Sequence, residues 1–455
     1  MLKRFMCCLF FLLVFTNDAS PKDAGGVNFP KFTMGLTERV RLEFKKNIND
    51  LESDIKDNRE YFKIRTQIWF QEAFNKDSKF YLRFANENKP YIYWAGASAA
   101  QNKSATKKGY RYEIDEVVFD NVYADIKNIA GLPIDMRLGR QDLKGEYGEG
   151  FLILDGTPND ASRTFYFNAA KTSWRVDAKN KIDFIYAKSY RSDNMFPVLN
   201  KLSPEQQLNS SDETGYILYH KNDSVKGLHI EDFYIYKKEK ASESASARMT
   251  QEKTILNTFG SFAQYKFASW ALKGQFAAQL GSYGDNKRIG LGGYGYLDRD
   301  IKEWFWSPTL SLGFIYLSGD DQSTSTNEAW DPLYSRTISP SYLYSYMYGR
   351  ETETTYWTNL AMYRIGYILN PTKKTKLILW YNFLRANEES SPALSAAIFS
   401  GVGLNRGHLF QTRLEYKVSK NITTSLLGEY LVPGNFYVRS ADEAMFFQGE
   451  FQISF

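Results

Sequence analysis

Arg39-Val40-Arg41-Leu42-Glu43-Phe44-Lys45 places a charge at every odd position and an apolar side chain at every even one. Successive side chains of a β-strand point to opposite faces, so this heptapeptide reads as a strand with one wet face and one oily face. The same alternation continues outward from it. Phe62, Ile64, Thr66, Ile68 and Phe70 oppose Lys63, Arg65, Gln67 and Gln71, and Phe80, Leu82 and Phe84 oppose Lys79, Tyr81 and Arg83. Near the end of the chain, Leu414, Tyr416 and Val418 oppose Arg413, Glu415 and Lys417. Met445, Phe447, Phe451, Ile453 and Phe455 oppose Gln448, Glu450, Gln452 and Ser454.

The spacing between these stretches carries a second signal. Short polar turns (Asn75-Lys76-Asp77, Lys221 to Ser224, Ala268-Ser269, Asn370 to Lys374, Lys420-Asn421) alternate with long polar segments (Asn86 to Gly109, Arg191 to Thr214, Lys238 to Lys253, Gly319 to Thr355, Ala386 to Arg406). About eighteen strands of ~10 residues, with short turns at one rim and long loops at the other, describe a transmembrane antiparallel β-barrel with extracellular loops and periplasmic turns. Closure removes the unpaired strand edges that lipid does not tolerate. A soluble propeller or sandwich would show more regular loops and a repeated motif.

Composition agrees. A chain of 455 residues would make about three soluble domains. Yet 16% of the residues are aromatic while mean hydropathy is −0.46. Aromatic richness excludes a disordered chain, and the polar average excludes a bundle of apolar helices. Met1 to Arg4 is basic, Phe5 to Phe15 is apolar, and Thr16 to Ser20 is small and polar. Residues 1–20 therefore read as a cleaved secretory signal, leaving 21–455 as the barrel. Both cysteines, Cys7 and Cys8, leave with it, and losing Lys3, Arg4 and Asp18 lowers the formal net charge from +5 to +4. So small an excess gives no reason to expect a nucleic-acid partner. The expected place is the outer membrane of a Gram-negative-type bacterium, with lipid as a partner and a monomeric barrel.

If the oily face meets lipid, the chemistry lies on the other. Arg39, Arg41, Arg65, Arg83, Arg137, Arg364 and Arg413 all fall on expected lumen positions. Arginines spread around a lumen make a positive path for an anion. Glu38, Glu43, Asp135 and Glu415 sit close in sequence, so any one of these arginines also reads as half of an ion pair that stiffens the wall. Tyr91 to Trp94 and Trp304-Phe305-Trp306 suit an interfacial girdle or ordinary loop packing. Two segments break the alternation. Phe233 and Ile235, and Ile378 and Trp380, fall on the face expected to be wet, as buried lumen residues of a plugged barrel or as register slips.

Catalysis has little to stand on. His220 and His229 flank one short turn and could meet across a hairpin, and His408 stands apart, but no Gly-x-Ser-x-Gly element accompanies them. An outer-membrane hydrolase is thus the remote alternative to a channel. Asp320-Asp321 with Ser323, Thr324 and Asn327 offers oxygen ligands for a loop calcium. Their order matches a solvated turn better, so no cofactor is expected.

One segment is more specific. Met136-Arg137-Leu138-Gly139-Arg140-Gln141-Asp142-Leu143 leads into Tyr147-Gly148-Glu149-Gly150 and then Asp155 to Phe165, which contains Arg163-Thr164-Phe165. This resembles the alginate-export family of outer-membrane porins, as do Ser318-Gly319-Asp320-Asp321, Trp330 to Tyr334 and Tyr430 to Phe436, while the aromatic ending Phe451-Gln452-Ile453-Ser454-Phe455 resembles the terminal signal of bacterial outer-membrane barrels in general. The resemblance implies one eighteen-strand barrel passing an anionic polysaccharide or oligosaccharide through an arginine-rich constriction, with periplasmic export machinery as a further partner. It makes Arg140 and Arg163 constriction candidates. The alternation count instead puts Arg140 on the lipid side, unless a bulge at Gly139 reverses it. A general, small-solute anion-selective porin is the alternative function.

Overall fold

The computed structural model describes residues 30–52, 58–94, 112–114, 117–154, 166–192, 195–199, 211–241, 252–335, 340–352, 357–391 and 394–455. The expected leader and Arg163 lie outside the described residues. The strands are β1 (Lys31–Lys46), β2 (Arg59–Ala73), β3 (Ser78–Trp94), β4 (Tyr112–Ile114), β5 (Val118–Ile126), β6 (Ile134–Gln141), β7 (Phe167–Arg175), β8 (Asn180–Ser189), β9 (Glu213–Asn222) and β10 (Leu228–Glu239). They continue as β11 (Thr254–Phe267), β12 (Trp270–Tyr283), β13 (Asn286–Asp300), β14 (Thr309–Leu317), β15 (Leu360–Thr372), β16 (Thr375–Arg385), β17 (Asn405–Lys417), β18 (Ile422–Pro433) and β19 (Ala444–Ser454). One helix, α1 (Tyr342–Glu351), lies between β14 and β15.

Each strand pairs antiparallel with its neighbours in sequence, and β1 closes the sheet on β19 through Thr37↔Ser454 to Lys46↔Met445. β4 and β5 both pair with β3 and form one interrupted stave, so the closed antiparallel barrel has 18 staves. Among the described residues no helix is long and apolar enough to cross a membrane.

The polarity is inverted relative to a soluble protein. Phe259, Leu272, Phe276, Leu280, Leu312, Ile365 and Phe447 are exposed on the outside, while Arg39, Arg41, Glu43, Lys63 and Gln67 are buried. On β9, Ile217 is 0% exposed and the next residue, Leu218, 48%. Placing each large outward side chain against lipid rather than water is worth about 1.5–3 kcal/mol. A one-residue slip would turn every such side chain inward, which fixes the register.

The short-turn rim follows local chemistry. At Ala268-Ser269, Phe267 pairs directly with Trp270 and Ala268 takes φ +49°, as the tightest hairpins require. The long-loop rim has one departure: β12 and β13 are joined only by Gly284-Asp285, with Gly284 at φ +59°. On the short-turn rim, Trp304, Phe305 and Trp306 project between β13 and β14 and are exposed.

Two segments leave the long-loop rim and fold back into the barrel. Leu143, Tyr147 and Phe151 to Ile153 precede β7; Trp330, Leu333, Tyr334 and α1 precede β15. They form one apolar cluster with the lumen-facing Ile185, Ile217, Tyr219, Phe233, Ile235 and Ile315. Tyr147 meets Tyr219 at 4.6 Å between ring centres, and Phe151 meets Trp330 at 5.5 Å. Phe233 and Ile235 are therefore buried lumen residues, covered by these segments, and not slips of register. Trp380 also faces inward, 4.2 Å under the Arg364 guanidinium.

Helix α1 is tied at both ends. At its N-terminus the Glu429 carboxylate of β18 accepts from Leu343 N at 2.6 Å and from the Ser341 hydroxyl at 2.9 Å, while Ser341 Oγ accepts from Tyr344 N at 3.0 Å. At its C-terminus Glu351 takes both Arg406 Nη1 (2.8 Å) and Nη2 (2.7 Å) from β17. A buried carboxylate at a helix N-terminus and a cation at its C-terminus both oppose the macrodipole.

Candidate functional site: the charged lumen wall

With one side of the lumen filled, the other remains charged. On β1 to β3 and β19, alternation brings Arg39, Arg41, Glu43, Lys45, Lys63, Arg65, Glu87 and Glu450 onto the inner face. Most of these charges are matched. Arg39 Nη2 lies 3.0 Å from Glu87, Arg41 Nη2 lies 2.6 Å from Glu450, and Lys63 Nζ lies 3.2 Å from Glu43, which also accepts from the Tyr61 hydroxyl at 2.7 Å.

Arg65 differs. It is 6% exposed, it stands in register between Arg39 and Glu87, and it makes no hydrogen bond or ion pair with any described residue. Its Nε and Nη1 are buried and unsatisfied. A guanidinium held this way feels Glu87 and Glu450 without touching either and keeps unused donors. From the inserted segment, Lys144 adds a second cation. Burial, and then the nearby Arg65, hold its ammonium below the ordinary lysine value. Arg364 is a third: it is 8% exposed, and its guanidinium meets neutral acceptors, Asn382 Oδ1 at 2.6 Å and the Tyr296 hydroxyl at 2.7 Å.

The other expected arginines are paired. Arg83 holds Asp120 at 2.9 Å and Asp142 at 2.7 Å, Arg137 holds Asp125 at 2.7 Å beneath the Tyr123 ring, and Arg413 holds Glu415 at 2.8 Å. Two expectations are corrected. Arg140 does not join the wall: it shares the outward parity of Leu138 and is enclosed between Tyr166 and Phe196, 3.9 and 4.5 Å from the ring centres. It donates to Phe119 O at 2.8 Å and to Asn168 Oδ1 at 3.1 Å. Pairing runs unbroken through Gly139, so no bulge reverses the face; Gly139 sits at φ +126°, where a Cβ would lie 2.2 Å from Val122 O. Glu38 likewise faces outward, accepting from the Thr66 hydroxyl at 2.7 Å, and pairs with no lumen arginine.

The histidines do not assemble. His229 faces inward between Asp223 (2.7 Å) and Glu231 (2.9 Å), while His220 has the outward parity of Leu218 and approaches Asn180 Oδ1 at 3.3 Å. His408 accepts or donates one bond with the Tyr381 hydroxyl at 2.8 Å. Asp321 closes a turn on Ser323 N at 2.9 Å, and Asp320 accepts from Glu328 N at 2.9 Å.

Lys63 and Glu450 stand on the wet face in the alternation but not among the expected path residues. Glu87 falls in the expected Asn86 to Gly109 loop, which β3 overruns, and Lys144 follows Asp142-Leu143 in a loop whose inward path no local pattern announces.

Comparison with known proteins places this architecture. The profile of the alginate export family matches residues 31–450. Comparison with curated proteins finds no match. Among solved structures, OccAB2 of Acinetobacter baumannii superposes with a TM-score of 0.57 at 10% identity, covering 93% of this chain and 98% of that one. The outer membrane protein opdK of Pseudomonas aeruginosa gives 0.56 at 9% identity, covering 93% and 98%, and OccD3 (OpdP) of the same organism gives 0.55 at 10%, covering 95% and 93%. At such identity these likenesses speak for the fold. An inverted, closed 18-stave barrel matched over nearly its whole length by this profile is an outer-membrane porin, and the chain belongs to the alginate-export family.

Proposed function

We propose that this barrel is a passive, anion-selective channel whose solute is an anionic polysaccharide or oligosaccharide, guided along the wall of Arg39, Arg41 and Arg65. The observation that carries the proposal is the unpartnered, buried Arg65 beside Lys144. Cations already matched by carboxylates hold a wall rigid; cations left over set its potential. Two cations outside any ion pair in a narrow low-dielectric passage attract anions and repel cations more strongly than they would in open water. Arginine suits a carboxylated polymer because its planar fork meets a carboxylate with two parallel bonds and releases it to the next.

The filling of the lumen by the 142–154 and 318–335 segments and α1 favours a second reading, a small-solute anion porin. Planar-bilayer recording separates the two. The first expects a permeability ratio above one for chloride over potassium, with oligogalacturonate interrupting the current. Anion current that oligogalacturonate leaves untouched selects the small-solute porin, and cation preference defeats both.

A further inference from the structure

A second positive site lies away from the Arg65 wall. On the short-turn rim, the periplasmic side of an outer-membrane barrel, the β15–β16 turn and the ends of β17 and β18 enclose a cavity of about 490 Å³. Its lining includes Lys373, Lys376, Arg413 and Lys417 against Glu415 and Glu450. Both carboxylates are already engaged, Glu415 by Arg413 at 2.8 Å and Glu450 by Arg41 at 2.6 Å. The ammonium groups of Lys373, Lys376 and Lys417 make no hydrogen bond or ion pair with any described residue. The opposite side of the same mouth is different: Arg137 and Lys79 share Asp125, and Arg175 holds Asp135.

The cavity also connects to the wall above it. Lys417 pairs with Thr423, Thr423 with Gln452, Gln452 with Arg39 and Arg39 with Arg65. All five have lumen parity, so one row of polar side chains, set side by side across backbone-paired strands, runs from the mouth to the Arg65 guanidinium. Four strand spacings of ~4.8 Å make it about 19 Å long.

We propose that this cavity is a separate loading site, which captures the carboxylate of an acidic sugar unit on the periplasmic side before the solute reaches Arg65. Its volume falls within the range of small-ligand pockets, roughly 300–1,000 Å³, and accommodates one or two sugar rings. Threonine and serine hydroxyls from β16 and β18 supply partners for sugar hydroxyls. Unpaired lysines, as flexible point charges, accept a carboxylate arriving in many orientations. Capture itself does not depend on the channel reading; only the onward step along the row rests on it.

The test is side-specific block in planar bilayers with oligogalacturonate as the probe. An Asp285→Cys label at the β12–β13 turn, modified by an impermeant thiol reagent, reports which way the barrel inserted. Block is expected to set in faster from the short-turn side. Lys376→Gln with Lys417→Gln, or the corresponding pair to Glu, is expected to slow that onset about tenfold, within the range of electrostatic steering, and to leave the chloride-over-potassium ratio unchanged. Equal onset from both sides, or unaltered onset in both double variants, overturns the proposal. A wild-type barrel that prefers potassium overturns the channel reading instead, and side-specific capture still stands or falls on its own onset rates.

Discussion

Two regions of the lumen differ in what meets the wall. Along β8 to β11, Ile185, Ile217, Phe233 and Ile235 meet inserted tyrosines, leucines and tryptophans, and the buried charges among them close on one another, Lys237 lying within ion-pair distance of Glu213, Glu239 and Asp331. Along β1 to β3 and β19, inner positions of the same parity carry Arg39, Arg41, Lys63, Arg65 and Glu450. The first is packed by the inserted segments, and the proposed passage follows the second. The contrast also separates two kinds of arginine. Arg406 is spent on holding a helix, whereas Arg65 makes no hydrogen bond or ion pair with any described residue.

The largest expected effect breaks the packed half. Arg406→Met leaves Glu351 buried without its partner, which costs about 3–5 kcal/mol. Denaturant unfolding in detergent should register the loss, and cleavage by protease within 340–352 should accelerate. Arg406→Met with Glu351→Met should recover most of it. If the single variant unfolds like wild type, the tie at the helix C-terminus is not a source of stability. Next, Ile217→Ala is expected to destabilise by about 2–5 kcal/mol because it opens a cavity as well as losing transfer energy. Leu218→Ala, one residue along but facing lipid, loses the transfer part alone, and equal losses would erase the distinction between the faces. Arg140→Gln removes a cation from between two rings and should cost about 1–2 kcal/mol, with no change of reversal potential.

On the charged half, Arg65→Gln should lower the chloride-over-potassium ratio about fivefold, since one charge at 4 Å in water contributes ~1 kcal/mol. Stability should hold or rise, because an unmatched buried charge is removed. The smallest effect concerns Asp320, whose carboxyl is held above its usual value chiefly by burial. A raised folded value means that its stabilisation is complete below the unfolded value of ~3.9 and is lost as pH rises through the folded one. Protection of the 318–335 segment from protease should therefore improve as pH falls from 7 toward 4, and Asp320→Asn should flatten that dependence.

The barrel was legible because its rules are local. Parity in Arg39 to Lys45, the turn at Ala268-Ser269 and the rhythm of loop lengths each report on a few neighbouring residues. Parity alone also placed Arg140 outside, where family likeness would have put it in the lumen. What could not be read is what depends on contacts distant in sequence. Arg83 and Arg65 look alike on their strands, yet Asp120 and Asp142 neutralise only Arg83. The inward course of Lys144 and α1 is set by Phe233, Ile235 and Glu429 on strands far along the chain, and Phe233 and Ile235 look misplaced until the inserted segments cover them.

The anchoring of α1 has an electrical consequence. Its first turn is bonded to the Glu429 carboxylate of β18 and its last residue, Glu351, to Arg406 of β17, so a transmembrane voltage that drives the helix along the bore must first break two buried charged contacts. Current through this barrel should accordingly scale in simple proportion with applied potential, and the filling of its bore is a fixed resistor rather than a shutter.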